Sequence, residues 1–247
     1  MGKIVAIGGG EIGRPGYPVE TTKIDKEIIR LSGKKRPRLL FIPTASGDAE
    51  GYVKSVEKHF GQRLGCKVDA LLLVKTQPSK KEIRDKIFSA DIIYVGGGNT
   101  LKMMNRWRQL GVDKLLKQAY RKNIVLAGLS AGATCWFRHG LSDSRKFKNK
   151  TADFIRVSGL GLIDALCCPH YDSEKTRPAA LRKMMKRTVG VAIALEDCAA
   201  LEVVDGRYRI IASKRGKKGC KIYWKGKKYH QESIGETKFF IKGQIDK

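Results

Sequence analysis

The chain has 247 residues, 50 Lys and Arg against 24 Asp and Glu, and a net charge of +26, enough length for one large α/β domain or two small ones with a real core. No apolar run reaches the roughly 18 residues that cross a bilayer, and the N-terminus lacks the apolar length of a secretory leader, so no membrane partner and a cytoplasmic location are expected. The basic residues are spread along the chain, without a basic helix interleaved with aromatics, so nucleic acid is not expected as a partner despite the charge.

In chain order, Lys3-to-Ile7 reads as a first strand and is followed by the loop Gly8-Gly9-Gly10. Thr22-to-Ser32 reads as a helix, Arg38-to-Ile42 as a second strand, Ala49-to-Leu64 as a helix and Val68-to-Val74 as a third strand. Ser79-Lys80-Lys81-Glu82 opens a helix with the pattern of a capping box. Ile92-to-Val95 is a fourth strand, Asn99-to-Leu110 and Val112-to-Lys122 are helices, and Ile124-to-Ala127 is a fifth strand. This alternation predicts a three-layer α/β/α fold with a mainly parallel sheet. The last third reads as a basic helix, Arg177-to-Thr188, and an antiparallel extension. Its strands are Val189-to-Leu195, Ala199-to-Val204 and Arg207-to-Ala212, with a hairpin turn at Asp205-Gly206. A second hairpin joins Cys220-to-Trp224 and Tyr229-to-Ile234 around Lys225-Gly226-Lys227-Lys228. No linker or repeat divides the chain, so a single domain over 1–247 is expected.

Gly128-Leu129-Ser130-Ala131-Gly132-Ala133 lies between the fifth strand and Thr134-Cys135-Trp136-Phe137, which reads as the start of a helix. A serine among small residues on a strand-to-helix turn has the layout of a nucleophile elbow, and the helix would aim N–H groups at an oxyanion. The same hexapeptide also suits a plain N-capping serine. The fourth strand runs into Gly96-Gly97-Gly98-Asn99-Thr100, where glycines let backbone approach a ligand. Asn99 could cap the next helix or point an amide into the site. Four histidines are available. His59 and His230 read as surface residues, His139 as a weak candidate base trailing the elbow helix, and His170, after Pro169 at the end of an apolar run, as the better one. For the carboxylate that orients a catalytic imidazole, strand-end Glu196 ranks above Asp143 and Asp172. The six cysteines are scattered in apolar runs, and Cys167-Cys168 lacks zinc-site spacing, so no metal is expected.

Together, Gly96-Gly97-Gly98-Asn99-Thr100, the Ser130 hexapeptide, Ser142-Asp143-Ser144, Pro169-His170-Tyr171 and Glu196-Asp197 resemble the peptidase E and cyanophycinase family of serine peptidases, from the first strand to about Val204. The resemblance implies the class I glutamine amidotransferase fold with serine in place of the cysteine nucleophile. It implies Ser130 as nucleophile, His170 as base and Glu196 as orienting residue, with Asp143 a rival for that third place. It further implies oxyanion donors at the Gly98 and Ala131 N–H groups, and substrate contacts from Asn99 and Arg177. The activity implied is hydrolysis of small peptides, dipeptides with an N-terminal acidic residue above all, through an acyl-enzyme, with no cofactor, by a monomer or homodimer. Two other readings stay open: a catalytically silent ligand- or partner-binding member of the fold, and a cyanophycinase-like hydrolase of acidic-backbone peptides.

Overall fold

A computed structural model describes residues 2–225, 228–234 and 240–241. Two sheets organise it. The larger has the order β14-β11-β10-β1-β5-β4-β2-β3. Its central strands are β1 (Lys3–Ile7), β2 (Arg38–Ile42), β3 (Lys67–Ala70), β4 (Ile92–Val95) and β5 (Val125–Leu129), paired in parallel. β1, β2, β4 and β5 are largely apolar and buried because helices cover both faces, as the sequence pattern predicts, whereas the edge strand β3 is mixed and partly exposed. On the far side of β1 the sheet turns antiparallel through β10 (Ala199–Val204), β11 (Arg207–Ala212) and β14 (Phe240–Ile241).

The helices are α1 (Thr22–Leu31), α2 (Glu50–Val56), α3 (Lys80–Ser89), α4 (Thr100–Leu110) and α5 (Val112–Arg121). Ser79 caps α3 by accepting from the Glu82 N–H at 3.1 Å, as its pattern predicts. The helix expected over Ala49-to-Leu64 widens into a π-helical stretch at Glu57–Arg63. That stretch buries His59 rather than exposing it, and its Nε2 lies 2.8 Å from Asp25 Oδ2. The third strand is shorter than expected. After the Leu71 N–H, which donates to the Phe41 carbonyl at 2.9 Å, the chain leaves β2, and the Val74 and Lys75 N–H groups donate to the Asp48 carboxylate.

The main departure from expectation follows the Ser130 turn. The helix there, α6 (Ala131–Thr134), is a single turn, and Phe137 already begins β6 (Phe137–Ser142). The carbonyls of Cys135 and Trp136 accept from the Leu160 and Leu162 N–H groups at 2.7 and 2.9 Å, so they are lost to any helical ladder. Trp136 and Phe137 are fully buried. β6 starts a second sheet, of order β13-β12-β9-β8-β6-β7, with β7 (Ile155–Ser158), β8 (Ile163–Cys168), β9 (Ala192–Leu195), β12 (Gly219–Lys225) and β13 (Lys228–Ile234). Strand β9 is shorter than expected because Gly190 takes φ +98° and Val189 is fully exposed. The β12–β13 hairpin pairs as expected, although its turn at Gly226-Lys227 lies outside the described residues. Helix α7 (Arg177–Met185) packs over the second sheet through Leu181 and Met185. Residues of both sheets, among them Ile4, Val95, Phe137, Ile193 and Leu195, share one apolar core.

Candidate active site

Strand register assembles the site. Ile7 pairs with Leu129, and Val95 with Gly128, so Gly8, Gly96 and Ser130 emerge side by side at the carboxyl ends of β1, β4 and β5. Ligands of open parallel sheets bind at such ends. Ser130 has φ +57° and ψ −107°, a backbone geometry that L-residues rarely adopt. It is pinned there by its own N–H, which donates to the Ile7 carbonyl at 3.0 Å, and by its carbonyl, which accepts from the Ala133 and Thr134 N–H groups. The flanking glycines are required by contact. A Cβ on Gly128 would sit 2.5 Å from the Gly132 carbonyl oxygen, and one on Gly132 would run into the Val95 carbonyl. The strain is thus held by close packing of the turn against β4.

The second sheet supplies the partners of Ser130. His170 follows the end of β8, itself at φ +52°, with its N–H donating to the Gly8 carbonyl at 3.2 Å. Its Nε2 lies 2.9 Å from Ser130 Oγ. Its Nδ1 lies 2.7 Å from Asp197 Oδ1. Asp197 sits in the three-residue passage from β9 in one sheet to β10 in the other, and the Cys198 N–H donates to the Gly9 carbonyl at 2.9 Å. A Cβ on Gly9 would collide with Asp197 Oδ1 and with the His170 ring, so the first glycine loop is the floor under this pair. Burial disfavours ionisation of Asp197. The His170 hydrogen bond and charge, the Ser173 side chain and Lys217 outweigh it and hold the carboxyl below its ordinary range. Asp172 backs it by accepting from the Asp197 N–H at 2.9 Å and is itself paired with Lys217.

Several expected site residues stand elsewhere. Glu196 does not reach His170. The turn over 196–199, closed by the Ala199 N–H donating to the Glu196 carbonyl at 3.2 Å, sends the two side chains apart, and the Glu196 carboxylate accepts from the Lys218 N–H at 3.1 Å. Asp143 is also excluded from the imidazole, since its nearest charged partner is Arg177 at 4.0 Å. The Ser142-Asp143-Ser144 motif instead braces α4. Ser144 Oγ accepts from the Leu101 N–H at 3.0 Å, and the Ser144 carbonyl accepts from Asn99 Nδ2 at 3.0 Å. Asn99 Oδ1 caps α4 by accepting from Lys102 N–H, so this buried amide bonds within the fold at both ends. Arg177 is 2 % exposed, donates to Glu174 at 2.9 Å and to the Leu141 carbonyl at 3.3 Å, and is not among the residues lining the cleft at Ser130. His139 lies on β6 opposite Ser158, not at a helix end, and burial with the charges of Arg156 and Arg138 lowers its pKa. His230 stacks on Tyr223 in the β12–β13 hairpin.

Gly98 and Ala131 remain as backbone donors. Gly98 has φ +135°, and a Cβ there would collide with the Ala45 carbonyl. The neighbouring Gly97 and Asn99 N–H groups are taken by Tyr52 Oη and the Ala45 carbonyl, whereas those of Gly98 and Ala131 have no acceptor among the described residues. A cleft of about 580 Å³ opens onto Ser130, His170 and Asp197, with Tyr52, Arg14 and Glu20 on its walls. Arg14 is the cation among its lining residues and is paired with Glu11 at 2.8 Å. Among the described residues no group of three or more His, Cys, Asp or Glu could hold a metal ion. No helix there is long and apolar enough to cross a membrane.

Against known proteins, the model of peptidase family S51 matches residues 4–211. The chain is similar to the uncharacterized peptidase YgaJ of Bacillus subtilis, 34% identical over 226 residues that cover 90% of this chain and 92% of the relative. It is also similar to a peptidase E of Streptomyces coelicolor, at 22% identity over 80% and 79% of the two chains. Among solved structures, a peptidase from an acI-B1 Actinobacterium superimposes with a TM-score of 0.71 over 97% of this chain and 96% of that one, at 18% identity. A putative peptidase E protein from Listeria monocytogenes does so with 0.63 over 86% and 98%, at 20% identity. These likenesses bear out the fold.

Proposed function

The chain belongs to peptidase family S51 and is a serine-type peptidase; from that premise we propose that Ser130, His170 and Asp197 hydrolyse short peptides through an acyl-enzyme. The observation that carries this reading is the unbroken hydrogen-bonded line from Ser130 Oγ through the imidazole to Asp197. A catalytically silent member of the fold could keep the glycine loops without such a line. Ser130 Oγ attacks the scissile carbonyl while His170 Nε2 takes its proton. The tetrahedral oxyanion accepts from the Gly98 and Ala131 N–H groups. Because α6 is a single turn, these local donors act in place of a long helix dipole. His170 then returns the proton to the leaving amine, and water repeats the cycle on the ester. Asp197, ionised over the working range, holds the Nδ1–H tautomer and offsets the imidazolium charge.

The substrates in this reading are small peptides, with dipeptides bearing an N-terminal acidic residue the preferred class. With Arg177 buried, the cleft partner for an acidic side chain is Arg14, which would exchange its contact with Glu11 for the substrate. The test is hydrolysis of a dipeptide library by the intact chain and by Ser130→Ala, with a serine-directed fluorophosphonate as label. Labelling and turnover that both vanish in a folded Ser130→Ala protein are expected. Near-normal turnover in that variant overturns the mechanism. Equal turnover of aspartyl and asparaginyl dipeptides by the intact chain removes the acidic preference alone.

A further inference from the structure

A cavity of about 710 Å³, larger than the catalytic cleft and sharing no lining residue with it, opens between the 146–156 segment and α7. Five cations line it: Lys146 and Lys150 from the loop, Arg156 from β7, and Lys183 and Arg187 from α7 and its end. Asp153 is the one carboxylate on its wall. None of the five cations has a carboxylate within ion-pair distance among the described residues. Lys146 Nζ instead lies 3.8 Å over the Phe154 ring, which fixes the ring at the cavity wall. Ala180 and Met184 add an apolar patch beside it.

We propose that this cavity is a second ligand site, separate from the catalytic cleft, that takes a small polyanion carrying a chain of two or more phosphate groups. Charges of one sign gathered around a concavity repel one another and raise the local concentration of an incoming anion. Two guanidinium forks suit the paired oxygens of phosphate, and the three ammonium groups serve as adaptable point charges. Five cations against one carboxylate call for several negative charges at short spacing, which a phosphate chain supplies and a single carboxylate does not. The cations converge on one concavity from three separate segments instead of running in a stripe, which favours a compact ligand over a nucleic-acid strand. The apolar wall at Phe154, Ala180 and Met184 offers a surface for a carbon-bearing portion such as a nucleoside.

The experiment titrates the full chain with tripolyphosphate and, separately, with ATP by calorimetry at about 0.15 M salt, where long-range attraction is largely screened. Two double variants of equal charge change are compared. Lys183→Ala/Arg187→Ala removes two exposed cavity cations, and Lys114→Ala/Lys117→Ala removes two exposed lysines of α5. Saturable one-to-one binding is expected, weakened more than about tenfold by the first pair and unchanged by the second. Equal affinity for both probes assigns the site to the phosphate chain, and tighter binding of ATP assigns a share to the nucleoside. Three results overturn the proposal: no saturable binding, equal weakening by both double variants, or tighter binding of single-stranded RNA with a stoichiometry that grows with its length.

Discussion

Replacing Asp197 by Asn separates the two adjacent carboxylates most sharply. The Nδ1–Oδ1 contact of 2.7 Å is a charge-assisted hydrogen bond to a group that, in the proposed mechanism, becomes cationic during turnover. Such bonds contribute about 1.5–3 kcal/mol, or roughly 10- to 150-fold in rate. Asparagine keeps the shape but presents either an oxygen or an NH2 to Nδ1. When it presents the NH2, the imidazole proton moves to Nε2, and His170 can no longer accept from Ser130. The combined loss in kcat for this tautomer error reaches about 10⁴ in a serine protease triad. Glu196→Gln removes only the charge from a contact to the Lys218 N–H and should stay within about threefold. The assay is the rate of fluorophosphonate labelling together with dipeptide kcat/KM. A dead Glu196→Gln and an active Asp197→Asn would refute the assignment. The same residue predicts a pH effect on stability. Its folded pKa lies below the ordinary carboxylate value of about 3.9, so the unfolded state binds the proton more readily. The stabilisation is therefore fully present above that value and is lost as pH falls through the folded pKa. Urea unfolding should show the gap between the intact chain and Asp197→Asn narrowing on acidification below about pH 4.

Gly9→Ala places a methyl group against Asp197 and His170, so activity should fall by more than about tenfold while global stability, read by thermal unfolding, drops by about 1–3 kcal/mol; unchanged turnover would show that the loop is not the floor of the pair. Arg177→Met should destabilise the chain by about 1–3 kcal/mol, since it leaves the Leu141 carbonyl unpaired and the half-buried Glu174 without its partner. It should leave the ratio of aspartyl to asparaginyl turnover unchanged. A collapsed ratio in a stable variant would restore Arg177 to the substrate.

The parallel half of the fold was legible because β1, β2, β4 and β5 are largely apolar runs, which short-range chemistry encodes directly; the mixed edge strand β3 was legible only in part. Of the second sheet, β9, β12 and β13 were legible, and β6, β7 and β8 were not. Ala131-to-Phe137 has helical character by composition, and what ends the helix is a pair of backbone bonds from Leu160 and Leu162 to Cys135 and Trp136, more than twenty residues away in sequence. Missing those strands also misplaced His139. His59 was misread for a similar reason, because its burial depends on Asp25 of α1, which no local pattern couples to it.

At the candidate site, the Ser130–His170 pairing was legible from local signals, a small-residue turn and a strand-end histidine. The carboxylate that bonds the imidazole was not, because the choice between two neighbouring carboxylates is made by backbone direction. The chain crosses from β9 to β10 within three residues, and Cys198 takes φ +64° to make the crossing. One carboxylate must then face the seam between the sheets and the other must face away. Ranking by closeness to the strand end selects Glu196, while the turn over 196–199 brings Asp197 to the imidazole. A partial signal was present at the other end of the chain. Gly8-Gly9-Gly10 fits no nucleotide loop, yet its glycines leave room for side chains from the opposite sheet to lie directly on β1's exit. A glycine run with no ligand of its own marks where another segment's functional side chains cross, though only the register of two sheets decides which ones.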